Sequence, residues 1–223
     1  MGKPRSISPK AGLRGEYQQR GLTRRACLAA CAGAGFGFVP LANSMAAERI
    51  GRVARVVGEA SAELEGASRR LLPDSNVLVG DLLLTGKSSR LGVELGPRTN
   101  VSLGENCKLR IDKYLAGVEG DFTLEAGVMK FDAQVPAGQK RPDLKFKSIY
   151  GLLSVRGTTF YAGPNRGNFA LLVMAGTVAI SAGGVEVMVG AGEGIDIARP
   201  GERPPPVRRW GQPRIQEMLA AVQ

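Results

Sequence analysis

Apolar and polar residues alternate with a period of two over most of the stretch from Ile50 to Ile197. The pattern is clearest in two neighbouring runs, which are Leu91, Val93, Leu95 and then Val101, Leu103. Such alternation is typical of β-strands with one buried face. Turn-forming segments such as Gly96-Pro97 and Gly183-Gly184 interrupt it at short intervals. The sequence therefore predicts an all-β domain built from many short strands.

The strands recur without a fixed repeat length. A glycine followed by one spacer and an alternating run occurs at Gly58, Gly127 and Gly176, with spacings of 69 and 49 residues. A propeller would repeat its blades at a constant length. The irregular spacing therefore favours a β-solenoid or a roll of short strands, although glycine also precedes many unrelated strands.

The first 46 residues have the features of an export signal. The segment 1–25 is basic, and the uncharged stretch from Ala26 to Ala42 is too rich in glycine to make a stable membrane span. Arg24 and Arg25 follow Thr23 as in a twin-arginine signal peptide. The segment Ser44-Met45-Ala46 supplies the small residues that precede a signal-peptide cleavage site. We expect cleavage after Ala46 and a periplasmic protein. The alternatives are an uncleaved signal that anchors the chain in the inner membrane and a lipoprotein signal ending at Cys31.

Removal of this signal changes the electrostatics of the chain. It carries seven of the 30 basic residues and one of the 20 acidic ones, so the formal net charge falls from +10 to +4. No basic stripe with interleaved aromatic residues is left, and export separates the protein from nucleic acid. We expect no nucleic-acid partner, and contact with a membrane only through an uncleaved signal.

The residues offer little catalytic chemistry. The sequence has no histidine, which excludes histidine-based triads and histidine zinc sites. Cys107 lacks a histidine base and is interpreted as structural. Carboxylates could still form a glycosidase pair, and the candidates are Glu63 with Glu65, Asp112, and Asp121 with Glu125. Asp74 and Asp81 are expected to cap turns by accepting backbone N–H groups. We expect no enzyme activity, no cofactor and no metal site.

The last 25 residues, 199–223, differ in composition and residue pattern from the β domain at 47–198. Three successive prolines, Pro204 to Pro206, indicate an extended linker, and the segment from Pro213 to Val222 has the spacing of a short amphipathic helix. Arginine, tryptophan and apolar residues are enriched at protein interfaces. The tail candidates for an interface are Arg208, Arg209, Trp210, Ile215, Met218 and Leu219. The alternative is a helix that folds back and caps an open end of the β domain.

Arg156 and Thr158 are interface candidates within the β domain. In Arg156-Gly157-Thr158-Thr159, the guanidinium could bind a carboxylate or phosphate beside exposed hydroxyl groups. The interpretation that we favour from the residues alone is a corner between strands, in which Arg156 pairs with a nearby acid.

Two stretches resemble the FecR domain family. The first runs from Leu72 to Ile111 around Val79-Gly80-Asp81-Leu82-Leu83-Leu84-Thr85, and the second from Gly151 to Ile197 around Ser154-Val155-Arg156-Gly157-Thr158-Thr159-Phe160. The resemblance implies a twisted β-solenoid located in the cell envelope. In regulatory members it implies a relay that passes a receptor signal across the inner membrane to a sigma factor.

The chain departs from the regulatory members of that family in two respects. Those members carry a cytoplasmic helical segment and a membrane span before the domain, whereas 22 residues precede Thr23 here. The mixed α/β subdomain that follows the domain in receptor-coupled members is replaced by the tail. We therefore expect no sigma-factor-binding domain of its own.

Three functions are compatible with the sequence. The first is a non-catalytic FecR-like module that binds an envelope protein and relays a signal or acts as a scaffold. The second is a module that binds cell-wall or extracellular polysaccharide, for which the 5% aromatic content offers few stacking platforms. The third is a glycoside-active enzyme that works with carboxylates alone.

Overall fold

A computed structural model describes residues 47–133, 135–136 and 138–223. The predicted export-signal residues Arg24, Arg25 and Ala46 lie outside these described residues. The elements, in chain order, are β1 (Arg49–Val57), β2 (Ala60–Leu64), β3 (Ala67–Arg70), β4 (Asn76–Leu78), β5 (Leu82–Thr85), β6 (Arg90–Leu95), β7 (Thr99–Leu103), β8 (Lys108–Leu115), β9 (Glu119–Ala126), β10 (Met129–Ala133), β11 (Asp143–Ser148), β12 (Gly151–Val155), β13 (Thr159–Asn165), β14 (Asn168–Ala175), β15 (Thr177–Ala182), β16 (Val185–Gly190), β17 (Glu193–Ile197), β18 (Arg208–Arg209) and α1 (Gln212–Ala220).

The strands form two nine-stranded sheets, which we call sheet A and sheet B. Sheet A has the order β18-β17-β14-β13-β10-β7-β6-β1-β4. Sheet B has the order β16-β15-β12-β11-β9-β8-β5-β2-β3. The chain crosses repeatedly from one sheet to the other after one or two strands.

The main core lies between the two sheets. Alternate side chains of a strand point to opposite faces, so Leu91, Val93 and Leu95 of β6 are all buried, as their spacing predicts. Aromatic rings join the sheets at the centre of this core. The ring of Phe131 in sheet A meets that of Phe146 in sheet B edge to face, with centroids 4.7 Å apart. The outer face of each sheet does not take part in this core, so it can contact other segments of the chain or other molecules.

The structure confirms the all-β class and the short strands, but it does not confirm a β-solenoid. β9 and β11 pair in parallel. The other strand pairings of the described residues are antiparallel, and many join hairpin neighbours such as β8 with β9 or β13 with β14. The finer prediction of a twisted β-solenoid stays a prediction.

The predicted C-terminal helix is present as α1. Pro213 stands at its first turn, where proline costs no hydrogen bond, and Gly211 is its N-cap residue. Residues 202–207 before it form neither helix nor strand. Within the described part of the chain, no helix has the length and apolar character needed to cross a membrane.

Candidate interaction surfaces

The corner between β12 and β13 is built on a glycine that no other residue could replace without strain. Gly157 has a φ of +63°, and a Cβ atom there would lie 2.6 Å from Cγ2 of Val135. The tight turn fixes the two residues on either side of it. Arg156 points to the surface, whereas Thr158 is 1% exposed, and its hydroxyl has no hydrogen-bond partner in the described residues. Thr158 therefore does not offer its hydroxyl to a partner.

Arg156 lies at one side of a shallow depression in the outer face of sheet B, which we call the trough. Its volume is about 480 Å³, and four adjacent strands, β11, β12, β15 and β16, contribute to it. The lining residues are Arg141, Asp143, Lys145, Ser154, Arg156, Thr177, Ala179, Glu186 and Met188. The trough thus combines three basic groups, two acidic groups and two hydroxyls with an exposed methionine.

The C-terminal residues 208–223, here called the clasp, pack on the outer face of sheet A. β18 adds to the edge of β17, with Arg208 opposite Gly194 and Arg209 opposite Glu193. The apolar side of α1 covers a second, smaller core whose sheet members come from β13 and β14. This core contains Val128, Tyr161, Ala170, Leu172, Ile215, Met218 and Val222.

The clasp therefore uses its own interface candidates internally. Ile215 and Met218 are buried against the sheet, and Leu219 is half-buried beside them. Trp210 is also half-buried, because its ring lies on Gly194 and under the guanidinium of Arg214 at 3.7 Å. Arg208 and Arg209 remain exposed. Of the two interpretations of the tail, this placement matches a helix that folds back on the β domain.

Polar contacts hold the clasp near the start and in the middle of α1. Near the start, Arg214 donates to Asp196 at 2.8 Å and to the side-chain oxygen of Asn165 at 3.1 Å. Further along, Arg166 donates to Glu217 at 2.6 Å. The hydrogen bond from the Arg166 guanidinium lowers the pKa of the Glu217 carboxyl. Glu217 therefore stays ionised down to more acid pH than an isolated glutamate does.

Asp81 of the Val79–Thr85 motif forms a partly buried ion pair with Arg69 of β3. The side chain of Asp81 is 0% exposed, and it accepts hydrogen bonds from both terminal nitrogens of Arg69, one at 2.8 Å. Its second oxygen accepts the backbone N–H of Leu78 at 2.8 Å, which is the turn-capping role predicted for Asp81. Asp74 instead pairs with Arg52 at the surface. The sequence does not predict the pairing of Asp81 with Arg69. These two residues come together only because β2 pairs with both β3 and β5.

Three of the candidate catalytic groups are buried or bound to neighbouring side chains. Cys107 is fully buried, and burial raises the pKa of its thiol to about 12, so the thiol stays protonated at neutral pH. Glu125 pairs with Arg110 at 3.0 Å, and Asp112 accepts the hydroxyl of Thr123 at 2.7 Å. Across the described residues, no group of three or more metal-ligating side chains is found.

Comparison with known proteins identifies the central part of this architecture. The sequence profile of the FecR protein family matches residues 81–179. These residues are similar to a FecR domain. The match begins at Asp81 and ends at Ala179, so the FecR-matched region includes the Gly157 corner and most of the trough. β1 to β4 and the clasp lie outside the matched residues.

The fold is shared with two crystal structures of a candidate anti-sigma factor from Parabacteroides distasonis ATCC 8503. Each aligns with a TM-score of 0.51 and 15% sequence identity over 62% of this chain. The aligned part spans 64% of the first structure's chain and 63% of the second's, less than two thirds in both cases. No curated protein matches the chain by sequence.

Proposed function

We propose that this protein is a non-catalytic FecR-type module that binds a protein partner and relays a signal or acts as a scaffold. The match of residues 81–179 to the FecR family is the observation that carries the proposal. The fold shared with a candidate anti-sigma factor supports a regulatory rather than an enzymatic role. A buried Cys107 and separately paired carboxylates give the enzyme alternative little support.

The polysaccharide alternative receives less support because the described residues present no free aromatic ring on which a sugar could stack. Every aromatic side chain of the described residues is buried or half-buried. The two half-buried rings are already stacked, Tyr150 on Phe169 with centroids 4.8 Å apart and Trp210 under Arg214. Sugars commonly bind proteins by packing the C–H groups of a ring face on an exposed aromatic side chain, whose face carries partial negative charge. A protein partner is therefore the better-supported ligand class.

The site of action belongs to the same proposal. We place the protein in the periplasm, exported through its twin-arginine signal and cleaved after Ala46, and an uncleaved signal would place it at the inner membrane. Changing Arg24→Lys and Arg25→Lys together should leave the protein in the cytoplasm, as measured by cell fractionation and the mass of the retained chain. Export that continues in the double variant would mean that the general secretory route carries it.

Isolation of the protein in its native complex tests the proposed function. The tagged full chain is purified from a mildly crosslinked envelope fraction of its own cells, and the mass of the complex is measured before and after treatment with protease or muramidase. We expect a complex of fixed mass containing a second protein. A complex that muramidase dissolves, or turnover of a glycoside substrate by the purified chain, would contradict the proposal.

A further inference from the structure

Charged groups on the outer face of sheet B are matched in one half and unmatched in the other. On β8 and β9, Arg110 pairs with Glu125 at 3.0 Å, and Lys113 pairs with Glu119 at 2.7 Å. At the trough, neither Arg141 nor Arg156 has a carboxylate within 4.0 Å among the described residues. The two arginines therefore keep their hydrogen-bonding capacity for a ligand.

The acids in the trough are already engaged with other groups. Asp143 lies 3.8 Å from Lys145, and Glu186 accepts the hydroxyl of Ser181 at 3.1 Å. Both arginines lie next to the Gly157 turn, because Arg156 directly precedes Gly157 and a Cβ atom at Gly157 would lie 3.8 Å from Cγ of Arg141. Two arginines without an ion pair in the described residues thus lie beside the Gly157 turn and line the trough.

The rest of the trough is suited to a peptide. Ser154 and Thr177 line it with hydroxyl groups that can hydrogen-bond a backbone, while Ala179 and Met188 form an apolar wall. Met188 is 58% exposed, which is high for an apolar side chain on a regular strand. It belongs to β16, the edge strand of sheet B. Methionine is an adaptable contact residue at protein-binding surfaces.

We infer that the trough is the docking site for an acidic, partly apolar segment of the protein partner. Carboxylates of that segment bind Arg141 and Arg156, where the planar guanidinium can donate two parallel hydrogen bonds. An apolar side chain of the segment packs on Met188. The inference rests on the proposed function and names the chemistry of the partner; charge complementarity is what selects an acidic occupant.

Direct binding of a model peptide tests the inference. The full chain is titrated with acetyl-(Glu-Leu)4-amide, with the matched peptide acetyl-(Gln-Leu)4-amide, and with polygalacturonate as an acidic glycan. Calorimetry gives the affinity, and amide NMR shifts locate the site. We expect the Glu peptide alone to shift the amides of Ser154, Arg156 and Thr177, and its binding to weaken as salt is raised.

Charge-reversal variants assign the binding to the trough. Arg156→Glu and Arg141→Glu should each lower the affinity for the Glu peptide roughly tenfold, and Arg156→Lys should lower it less, because lysine cannot form the bidentate contact. Lys108→Glu is the control, since Lys108 is exposed on the same sheet and lies outside the trough. Its affinity should stay within about twofold of the parent chain.

Several results would overturn the inference. They are equal binding of the Gln peptide, equal losses in Arg156→Glu and Lys108→Glu, or binding of polygalacturonate in place of the peptide. A native complex with a partner protein but no peptide binding at the trough would overturn this inference alone. Peptide binding at the trough without any partner protein in the native complex would instead refute the proposed function.

Discussion

Asp81 shows how one buried carboxylate organises the start of the region that the FecR family matches. It receives Arg69 from β3 and the backbone N–H of Leu78 at once, so three segments are joined at a single side chain. A buried carboxylate is costly unless hydrogen bonds satisfy it, and removing its partners exposes that cost. Asp81 is therefore expected to matter more for stability than any surface ion pair of the chain.

Replacing Asp81 tests this expectation. Asp81→Asn should lower the free energy of unfolding by about 2 kcal/mol or more, because the charge-assisted bonds to Arg69 are lost. Asp74→Asn is the matched control, since Asp74 pairs with Arg52 in an exposed position and should cost less than about 1 kcal/mol. Denaturant unfolding measures both. Equal losses in the two variants would show that burial of Asp81 contributes nothing special.

For single residues, the sequence predicts bonds to nearby backbone groups better than it predicts which side chains from other strands form ion pairs. The turn context of Asp81 was enough to predict its bond to a nearby backbone N–H, since both groups lie within a few residues. For Arg156, the favoured prediction was a local acid as partner, and no such ion pair is found in the described residues. Sequence alone does not show which side chains of adjacent strands come close enough to pair.

The clasp determines which apolar residues of sheet A are exposed. Its apolar residues cover Tyr161, Ala170 and Leu172, which would otherwise be an exposed patch on sheet A. The spacing of Ile215, Met218, Leu219 and Val222 predicted the helix and its apolar face. It could not decide what that face contacts, because a capping helix and a docking helix have the same pattern.

A substitution at Gly194 tests how the clasp packs on sheet A, because Trp210 lies directly on this glycine. A Cβ atom there would lie 2.5 Å from Cε2 of Trp210 and 2.8 Å from the backbone oxygen of Leu171, so Gly194→Ala must displace the indole ring. We expect a red shift of the fluorescence of Trp210, the only tryptophan of the chain, and a loss of about 1–3 kcal/mol of stability.

A second glycine on sheet A serves as the control for this substitution. Gly92→Ala should leave both the fluorescence and the stability nearly unchanged, because the nearest atom to its added Cβ is 3.6 Å away. An unshifted emission spectrum in Gly194→Ala would contradict the docking of Trp210 on β17.

On the scale of the whole molecule, periodicity predicted the class of fold but not its topology. Alternation such as that in β6 and β7 states which side chains point inward, and their burial confirms it. The assignment of each strand to sheet A or sheet B depends on pairings between residues far apart in sequence. The crossing of the chain between the sheets and the largely antiparallel pairing could therefore not be read from the spacing of glycines.

The arrangement leaves the two outer faces unequal. The clasp covers part of sheet A, whereas sheet B carries the trough with unpaired Arg141 and Arg156. A protein partner is therefore expected on sheet B, close to its edge strand β16. The expected contact with the partner therefore lies within or next to the FecR-matched residues rather than on the tail.

Photocrosslinking in living cells is the most direct test of the claim that this chain is a protein-binding module. The photoreactive residue p-benzoylphenylalanine is placed at Met188 in the trough or at Gln216, which is exposed on α1. We expect a single protease-sensitive adduct from position 188 that Arg156→Glu abolishes, and none from position 216. The absence of a protein adduct from position 188 in cells that export the chain normally would contradict the claim.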